Sequence, residues 1–192
     1  MERLVKISTP IKGLFIIKTT RVEDARGHLS RLFCSREIEN FGWKYPLAQV
    51  NFTRTLYAGT VRGFHFQEPP HAEYKYVRCI RGEVFDVALD LRKNSKSFLQ
   101  THSQILTDEN DLGFLIPPGV AHGFQSLTNN TELLYMHSEF YVPDSDCGIN
   151  PTDPQVSAEW PKEITNISQK DASQPFLPLD YKGINFELSP LL

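Results

Sequence analysis

Two histidine-bearing segments contain the residues of this chain best suited to carry chemistry. His65 lies in the run GTVRGFHFQ at residues 59–67, and His122 lies in the run IPPGVAHGF at residues 116–124. Apolar and aromatic neighbours with nearby glycines surround both imidazoles, so packing can hold each ring in one orientation. A histidine held in this way suits either a general base or a metal ligand.

Other side chains supply the further groups that proton transfer needs. Tyr135 and Tyr141 are candidate acids, because a phenol can donate a proton to a reacting group or a hydrogen bond to a developing alkoxide. Lys75 can stabilise negative charge on an enolate oxygen, an electrostatic effect that often contributes most to catalysis. With His65 as the base, these residues predict proton transfer next to a carbonyl group.

Each of these residues also has an ordinary structural explanation. A strand histidine such as His65 is often only a packed residue of the core. Asp171 follows Ser168 at the spacing of a helix capping box. Arg26, in the turn-like run EDARG, fits an exposed turn cation.

A metal site is the alternative interpretation. Four residues are of the types that bind zinc, iron or manganese in β-barrel pockets, and a metal-dependent oxygenase or isomerase would use them. They are His65, His71, Glu73 and His122. The PxGxxH spacing that ends at His122 resembles the second motif of the cupin superfamily. The first cupin motif usually carries two histidines one residue apart, but the matching segment here reads His65, Phe66, Gln67, and a phenylalanine has no donor atom for a metal. The sequence therefore favours a site without metal.

Composition limits the partners and the compartment of the protein. The chain has 192 residues, a formal net charge of −3 and a pI near 6.1. This charge leaves no basic excess for binding nucleic acid, so a phosphate-bearing ligand has to meet local cations. The scattered cysteines indicate neither a disulfide framework nor a structural zinc site. Without a signal-peptide core or an apolar run of membrane-spanning length, the sequence predicts a cytoplasmic protein without membrane contact.

Short strand-like runs separated by Gly, Pro, Asn and Asp dominate residues 13–145 and predict an all-β sandwich or barrel. Residues 83–91 alternate clearly, with Phe85, Val87 and Leu89 on one strand face and polar or small residues on the other. This alternation predicts one packed face for the strand.

Three further segments have a predicted structure. In the strand at residues 133–141, Phe140 belongs to the packed face. The opposite face, directed to a wet cavity, holds Tyr135, His137, Glu139 and Tyr141. Residues 35–41 predict a short helix with Ser35 as its N-cap. Residues 146–192 predict an extended tail with short helical turns that wraps the domain or its partner.

Several segments, in one order, resemble the dTDP-4-dehydrorhamnose 3,5-epimerases and related sugar-nucleotide epimerases of the cupin type. The resemblance covers residues 13–180 and rests on residues 59–67, 75–79, 81–87, 116–124, 133–135, 140–143 and 168–171. It implies a cupin-type jelly-roll barrel with short peripheral helices and a C-terminal tail. It further implies a homodimer and no cofactor. The length of the chain predicts one domain at residues 1–192.

The resemblance also implies a reaction and a role for each site residue. The reaction inverts C3 and C5 of dTDP-4-dehydro-6-deoxyglucose or of a related nucleoside-diphosphate 4-keto-6-deoxyhexose. His65 would remove the proton next to the C4 ketone, and Asp171 would orient the imidazole. Tyr135 would return a proton from the opposite face, and Lys75 would stabilise the enolate. The implied substrate-binding positions are Arg26, Gln49, Asn51, Arg62, His122, Tyr141 and Lys170.

The placement of one residue and the identity of the substrate stay open at this point. Strict alternation puts Arg62 and His65 on opposite strand faces, so one site can hold both only through a bulge or across a subunit boundary. Arg31 stands where the family has a glutamate that contacts the nucleotide, which leaves cytidine and guanosine as alternatives to thymidine. Inversion of C3 alone and a non-catalytic sugar-nucleotide sensor on the same fold are further alternatives.

Overall fold

Two β-sheets packed face to face form most of the computed structural model, which describes residues 2–156 and 158–186. The strands of the first sheet are, in spatial order, β1 (Leu4–Ser8), β2 (Phe15–Thr19), β10 (Leu112–Ile116), β7 (Lys75–Arg81), β12 (Thr131–His137) and β5 (Gln49–Thr55). Those of the second are β13 (Asp146–Gly148), β6 (Thr60–Gln67), β11 (Val120–Ser126), β8 (Glu83–Asp90) and β9 (Thr101–Thr107), with β14 (Asn166–Ile167) parallel to β6. The other elements are the two-stranded ribbon of β3 (Val22–Asp24) and β4 (Gly27–Leu29), helices α1 (Ser35–Glu39) and α2 (Gln169–Ala172), and a 3-10 turn at Pro143–Ser145.

The space between the two sheets is filled by an apolar core to which both contribute. Val77 and Phe114 come from the first sheet, and Val84 and Ala88 come from the second. All four are fully buried. This core borders a cavity lined mostly by polar side chains, and Phe124 and Tyr135 belong to both.

The outer face of the second sheet is covered by the chain that follows β13. Val87 and Leu89 of β8 are buried there, with Phe85 beside them, as the alternation predicts. Ile149 and Val156 of the C-terminal extension pack on this face. The inner face of β8 is also buried, because it faces the core between the sheets.

The outer face of the first sheet is covered by α1 and the residues after it, with Ile38 and Trp43 packed in one cluster. The predicted helix is present, but the prediction of Ser35 as its N-cap is wrong. Cys34, with an extended backbone at φ −150 and ψ 113, occupies the N-cap position and makes no side-chain capping bond. The helix ends at Glu39, short of the predicted end at Phe41.

The strand predicted at residues 133–141 ends early, at His137. Both of its partners stop there, because His137 pairs with the first residue of β5, Gln49, and the first residue of β7, Lys75. The prediction that Phe140 packs in this strand is therefore wrong, and its side chain is 63% exposed.

The all-β jelly-roll prediction is confirmed by the two facing sheets and by the structural relatives described below. Residues 187–192 of the predicted C-terminal extension lie outside the described residues. Within the described residues, no helix has the length and apolar character needed to cross a membrane. The cytoplasmic location stays a prediction.

Candidate active site

A cavity of about 480 Å³ opens between the sheets and collects most of the predicted site residues. Its lining residues are Asn51, Thr53, Thr60, Val61, Arg62, His65, Lys75, His122, Phe124, Tyr135, His137, Asn166, Ser168, Lys170 and Asp171. A second cavity of about 250 Å³ shares five of these residues and adds Gln49, Gln67, Glu73, Tyr141 and Asp146. The two cavities therefore form one polar site with two lobes.

His65 and Asp171 form a hydrogen-bonded pair on the second-sheet wall of this site. The distance from His65 Nε2 to Asp171 Oδ1 is 2.7 Å, and Asp171 Oδ2 accepts from the Gly63 N–H at 3.3 Å. Burial raises the pKa of Asp171, but the hydrogen bond and the charge of His65 outweigh it, so the pKa lies below its ordinary value. Because an ionised carboxylate only accepts hydrogen bonds, Nε2 carries the hydrogen in the neutral form of His65, and Nδ1 keeps the basic lone pair.

Helix α2 brings Asp171 to His65. Ser168 is the N-cap of this helix, and its hydroxyl oxygen accepts from the Asp171 N–H at 3.0 Å. Ser168 and Asp171 thus do form a helix cap, as their spacing in the sequence predicts. The carboxylate of Asp171 points to His65 and the backbone of Gly63, where it can orient the imidazole.

A β-bulge in β6 places Arg62 and His65 at the same cavity. Opposite them on β11, Phe124 pairs with Arg62 and His122 pairs with His65, so three steps along β6 match two along β11. Gly63 absorbs the extra residue at a φ of +116, where a Cβ atom would lie 2.5 Å from the Gly123 Cα. The bulge removes the conflict that strict alternation predicts, and no second subunit is needed for it.

Tyr135 and Lys75 line the opposite wall, on the first sheet. Burial and the nearby charge of Asp86 raise the pKa of Tyr135, which keeps the phenol protonated. Lys75 Nζ donates to the main-chain oxygen of His65 at 3.3 Å and contacts Glu73 Oε1 at 3.2 Å. The cavity therefore lies between a basic nitrogen on one wall and a protonated phenol on the other, with an ammonium group at its side.

His122 also faces the cavity and forms a second histidine–carboxylate pair. Its Nε2 is hydrogen-bonded to Oδ1 of Asp86, and both side chains are buried. The His122 ring meets Tyr135 edge to face, with the ring centroids 6.0 Å apart. Sequence reasoning missed Asp86 as a site residue, although strand alternation places it on the same face as Ala88, opposite His122.

The residues of the metal hypothesis are not assembled into one ligand set. His65 and His122 each bond a different carboxylate, while Glu73 bonds Lys75 and His137. Among the described residues, no group of three or more His, Cys, Asp or Glu side chains is placed to hold a metal ion. The hypothesis of a metal centre at His65, His71, Glu73 and His122 is therefore not supported.

The predicted binding residues Gln49, Tyr141 and Lys170 line the smaller lobe. Gln49 Oε1 accepts from the Tyr141 N–H at 3.0 Å, and the Tyr141 hydroxyl donates to Asp146 Oδ2 at 3.2 Å. Lys170 Nζ donates to the same Asp146 oxygen at 2.5 Å and remains 58% exposed. Asn51 lines both lobes.

Arg26 and Arg31 lie outside both lobes. Arg26 is on the β3–β4 ribbon, where it is 89% exposed and bonds Asp24 at 2.5 Å. The structure therefore does not bring Arg26 to the cavity of its own chain. Arg31 forms an ion pair with Glu37 of α1, which holds its guanidinium group beside the helix.

Known proteins are similar to this chain over most of its length. The model of the family described as dTDP-4-dehydrorhamnose 3,5-epimerase matches residues 8–178. The dTDP-4-dehydrorhamnose 3,5-epimerase of Methanothermobacter thermautotrophicus is 39% identical over 86% of this chain and 90% of its own length.

Two solved structures are similar to this chain over most of its length. One is the dTDP-6-deoxy-D-glucose-3,5-epimerase of Legionella pneumophila in complex with dTDP-4-keto-L-rhamnose, at a TM-score of 0.88 and 35% identity, covering 96% of this chain and 99% of that one. The other is a 3'-monoepimerase from Streptomyces bikiniensis in complex with dTDP-quinovose, at a TM-score of 0.81 and 30% identity, covering 88% of this chain and 85% of that one. The chain belongs to the dTDP-4-dehydrorhamnose 3,5-epimerase family.

Proposed function

We propose that the protein is an isomerase that converts dTDP-4-dehydro-6-deoxyglucose to dTDP-4-dehydrorhamnose by inverting C3 and C5. The observation that carries this proposal is the facing of two groups across one cavity. His65, oriented by Asp171, lies on the second sheet, and Tyr135 lies on the first. A base and an acid on opposite walls match the requirement of inversion, because the proton leaves one face of the carbon and returns to the other.

Each inversion begins with proton abstraction by His65. Its Nδ1 takes the proton from the carbon next to the C4 ketone, and the electron pair of that C–H bond moves into an enolate. The Asp171 carboxylate stabilises the imidazolium that forms, and the Lys75 ammonium stabilises the charge on the C4 oxygen. The Tyr135 phenol then gives its proton to the opposite face of the same carbon. Proton exchange with water restores both residues, so the step needs no oxidant or reductant.

Positively charged side chains line the cavity although the net charge of the chain is negative. Arg62 and Lys170 line the cavity together with Lys75 and suit the diphosphate of the nucleotide sugar. Asn51 and Gln49 add neutral hydrogen-bonding groups at the smaller lobe. These residues support a nucleotide-sugar substrate.

The proposal includes a homodimer in which Arg26 serves the cavity of the partner. Arg26 is 89% exposed on the β3–β4 ribbon, and Val22 and Leu29 expose apolar side chains on the same ribbon. Val50 and Phe52 lie on β5, the edge strand of the first sheet, and are 50% and 56% exposed. Exposed apolar residues on an unpaired edge favour association with a second chain. Sedimentation of the protein as a monomer at micromolar concentration would contradict this part.

The proposal also treats residues 1–192 as one domain, with a core at residues 13–145 and an extension at 146–192. Packing supports this, since Ile149 and Val156 of the extension lie against β8. The extension also supplies Asp171 to the site.

Proton NMR in deuterated water tests the proposed reaction. With dTDP-4-keto-6-deoxyglucose as substrate, we expect loss of both the C3 and the C5 proton signals. Loss of the C3 signal alone would assign a 3-epimerase, the activity named for the Streptomyces bikiniensis relative. No exchange at either carbon would refute the proposal. Competition among dTDP, CDP and GDP for binding identifies the nucleotide base of the substrate.

A further inference from the structure

Glu73 and His137 form a buried polar pair that the mechanism above does not use. Glu73 lies just before β7, His137 is the last residue of β12, and their side chains are 8% and 11% exposed. His137 Nδ1 is 2.9 Å from Glu73 Oε2, and Lys75 Nζ is 3.2 Å from Glu73 Oε1. One carboxylate therefore holds two residues of the cavity wall, one at each oxygen.

The sheet places these groups on the same face. His137 pairs directly with Lys75 across β12 and β7, so both side chains point to the cavity. Burial raises the pKa of Glu73, but the hydrogen bond from His137 and the charge of Lys75 outweigh it, and the pKa lies below its ordinary value. Glu73 is thus an ionised acceptor, which requires that Nδ1 of His137 carries the hydrogen.

The contacts of Lys75 leave one donor for a ligand. An ammonium group has three N–H donors. The main-chain oxygen of His65 accepts one at 3.3 Å, and Glu73 Oε1 holds the ammonium group in an ion pair at 3.2 Å. Among the described residues no further partner takes the remaining donor, which can meet a substrate oxygen in a direction that these two contacts set.

We infer that Glu73 is a positioning residue that aims the Lys75 ammonium at the C4 oxygen of the sugar, with His137 holding the carboxylate in place. The inference rests on the proposed function and extends it to two residues beyond the base, the acid and the enolate-stabilising lysine. His137 prevents the carboxylate from turning away, because it occupies the oxygen that Lys75 does not use. The role is exerted through Lys75 and needs no contact between Glu73 and substrate.

The test compares Glu73→Gln with a matched control, Glu132→Gln. Glu132 is the second residue of β12 and lies outside both lobes, with its Oε1 3.8 Å from Arg54 Nε and from Arg81 Nη1. Glu73→Gln keeps the size of the side chain and removes its charge. We expect it to lower kcat for exchange of the sugar protons by about 10- to 100-fold, the cost of a misplaced catalytic group. Binding of dTDP alone should change by less than about 3-fold, since it lacks the sugar, and Glu132→Gln should match the wild type.

A double-mutant cycle separates positioning from a purely structural role. In a Lys75→Ala background, Glu73→Gln should lower kcat little further, because its effect acts through Lys75. His137→Asn keeps a donor near the Nδ1 position and should lose less kcat than His137→Leu, which has none. Additive losses in the cycle, or a parallel loss of dTDP binding and melting temperature in Glu73→Gln, would overturn the inference.

The wild-type protein distinguishes the two proposals in the same assay. If it exchanges the sugar protons and Glu73→Gln keeps full kcat, the inference about Glu73 is wrong and the proposed function stands. If the wild-type protein exchanges neither proton, the proposed function is wrong, and the inference that rests on it is overturned with it.

Discussion

Replacing Asp171 with asparagine tests the central pair of the site with the smallest change of shape. The carboxylate is 2.7 Å from His65 Nε2, is 3% exposed and also accepts from the Gly63 N–H. Asp171→Asn removes the charge that stabilises the imidazolium formed when His65 takes the substrate proton. The new amide can also donate to Nε2, which moves the ring hydrogen to Nδ1, the nitrogen that has to act as the base.

The magnitude follows from these contacts. A hydrogen bond to a charged group contributes about 1.5–3 kcal/mol, and each 1.4 kcal/mol or so of activation free energy is a factor of ten in rate. Loss of the charge alone therefore lowers proton exchange about 10- to 150-fold. The wrong tautomer raises the loss further, toward the roughly 10⁴-fold known for the same substitution in a Ser-His-Asp triad.

Exchange of the sugar protons, followed by NMR in deuterated water, measures this loss. Binding of dTDP by calorimetry shows that the variant is folded, and Asp180→Asn, an exposed position of the same extension, is the matched control. Exchange within about 3-fold of the wild type would refute the assignment of a dyad, because a charge at 2.7 Å cannot be removed from a working base without a larger effect.

Three further predictions follow from the same geometry. Tyr135→Phe should abolish inverted product while some exchange survives, because abstraction and return use different groups; full production of inverted sugar would show that another residue is the acid. Gly63→Ala should lower the melting temperature more than Gly27→Ala: both have positive φ, but only at Gly63 would a Cβ meet backbone, 2.5 Å from the Gly123 Cα, and equal losses would contradict the argument. The contact with His65 lowers the pKa of Asp171 below its ordinary value of 3.8, so the ionised carboxylate stabilises the folded protein. This contribution to the free energy of unfolding is complete above pH 3.8 and is lost as the pH falls through the lowered pKa. The difference in melting temperature between wild type and Asp171→Asn should accordingly narrow in acid, and a constant difference down to pH 2 would argue against the pair.

Several features of the fold were predictable because they depend on local patterns. The alternation of residues 83–91 sets which side chains of β8 face outward, since successive strand side chains point to opposite faces. The same rule places Tyr135 and His137 on one face toward a polar cavity. Residues 35–41 predict helix α1, although the capping preference of Ser35 places its N-cap one residue too late.

Other features depend on where partner strands begin and end. The strand at residues 133–141 could not be bounded from its own sequence, because β12 stops where β5 and β7 no longer face it. Phe140 is exposed for this reason. The bulge in β6 has a local signal in Gly63, but whether Arg62 turns toward His65 depends on the register with β11.

The sequence by itself determined the fold class, the family and the residue types of the site, because strand alternation and ordered motifs are properties of the linear chain. Only the tertiary structure decided the further ion pairs of the site. His122 meets Asp86 across 36 positions of the chain, and His137 meets Glu73 across 64. The physical reason is that such bonds form where strands distant in sequence come together, and local preferences carry no information about these contacts.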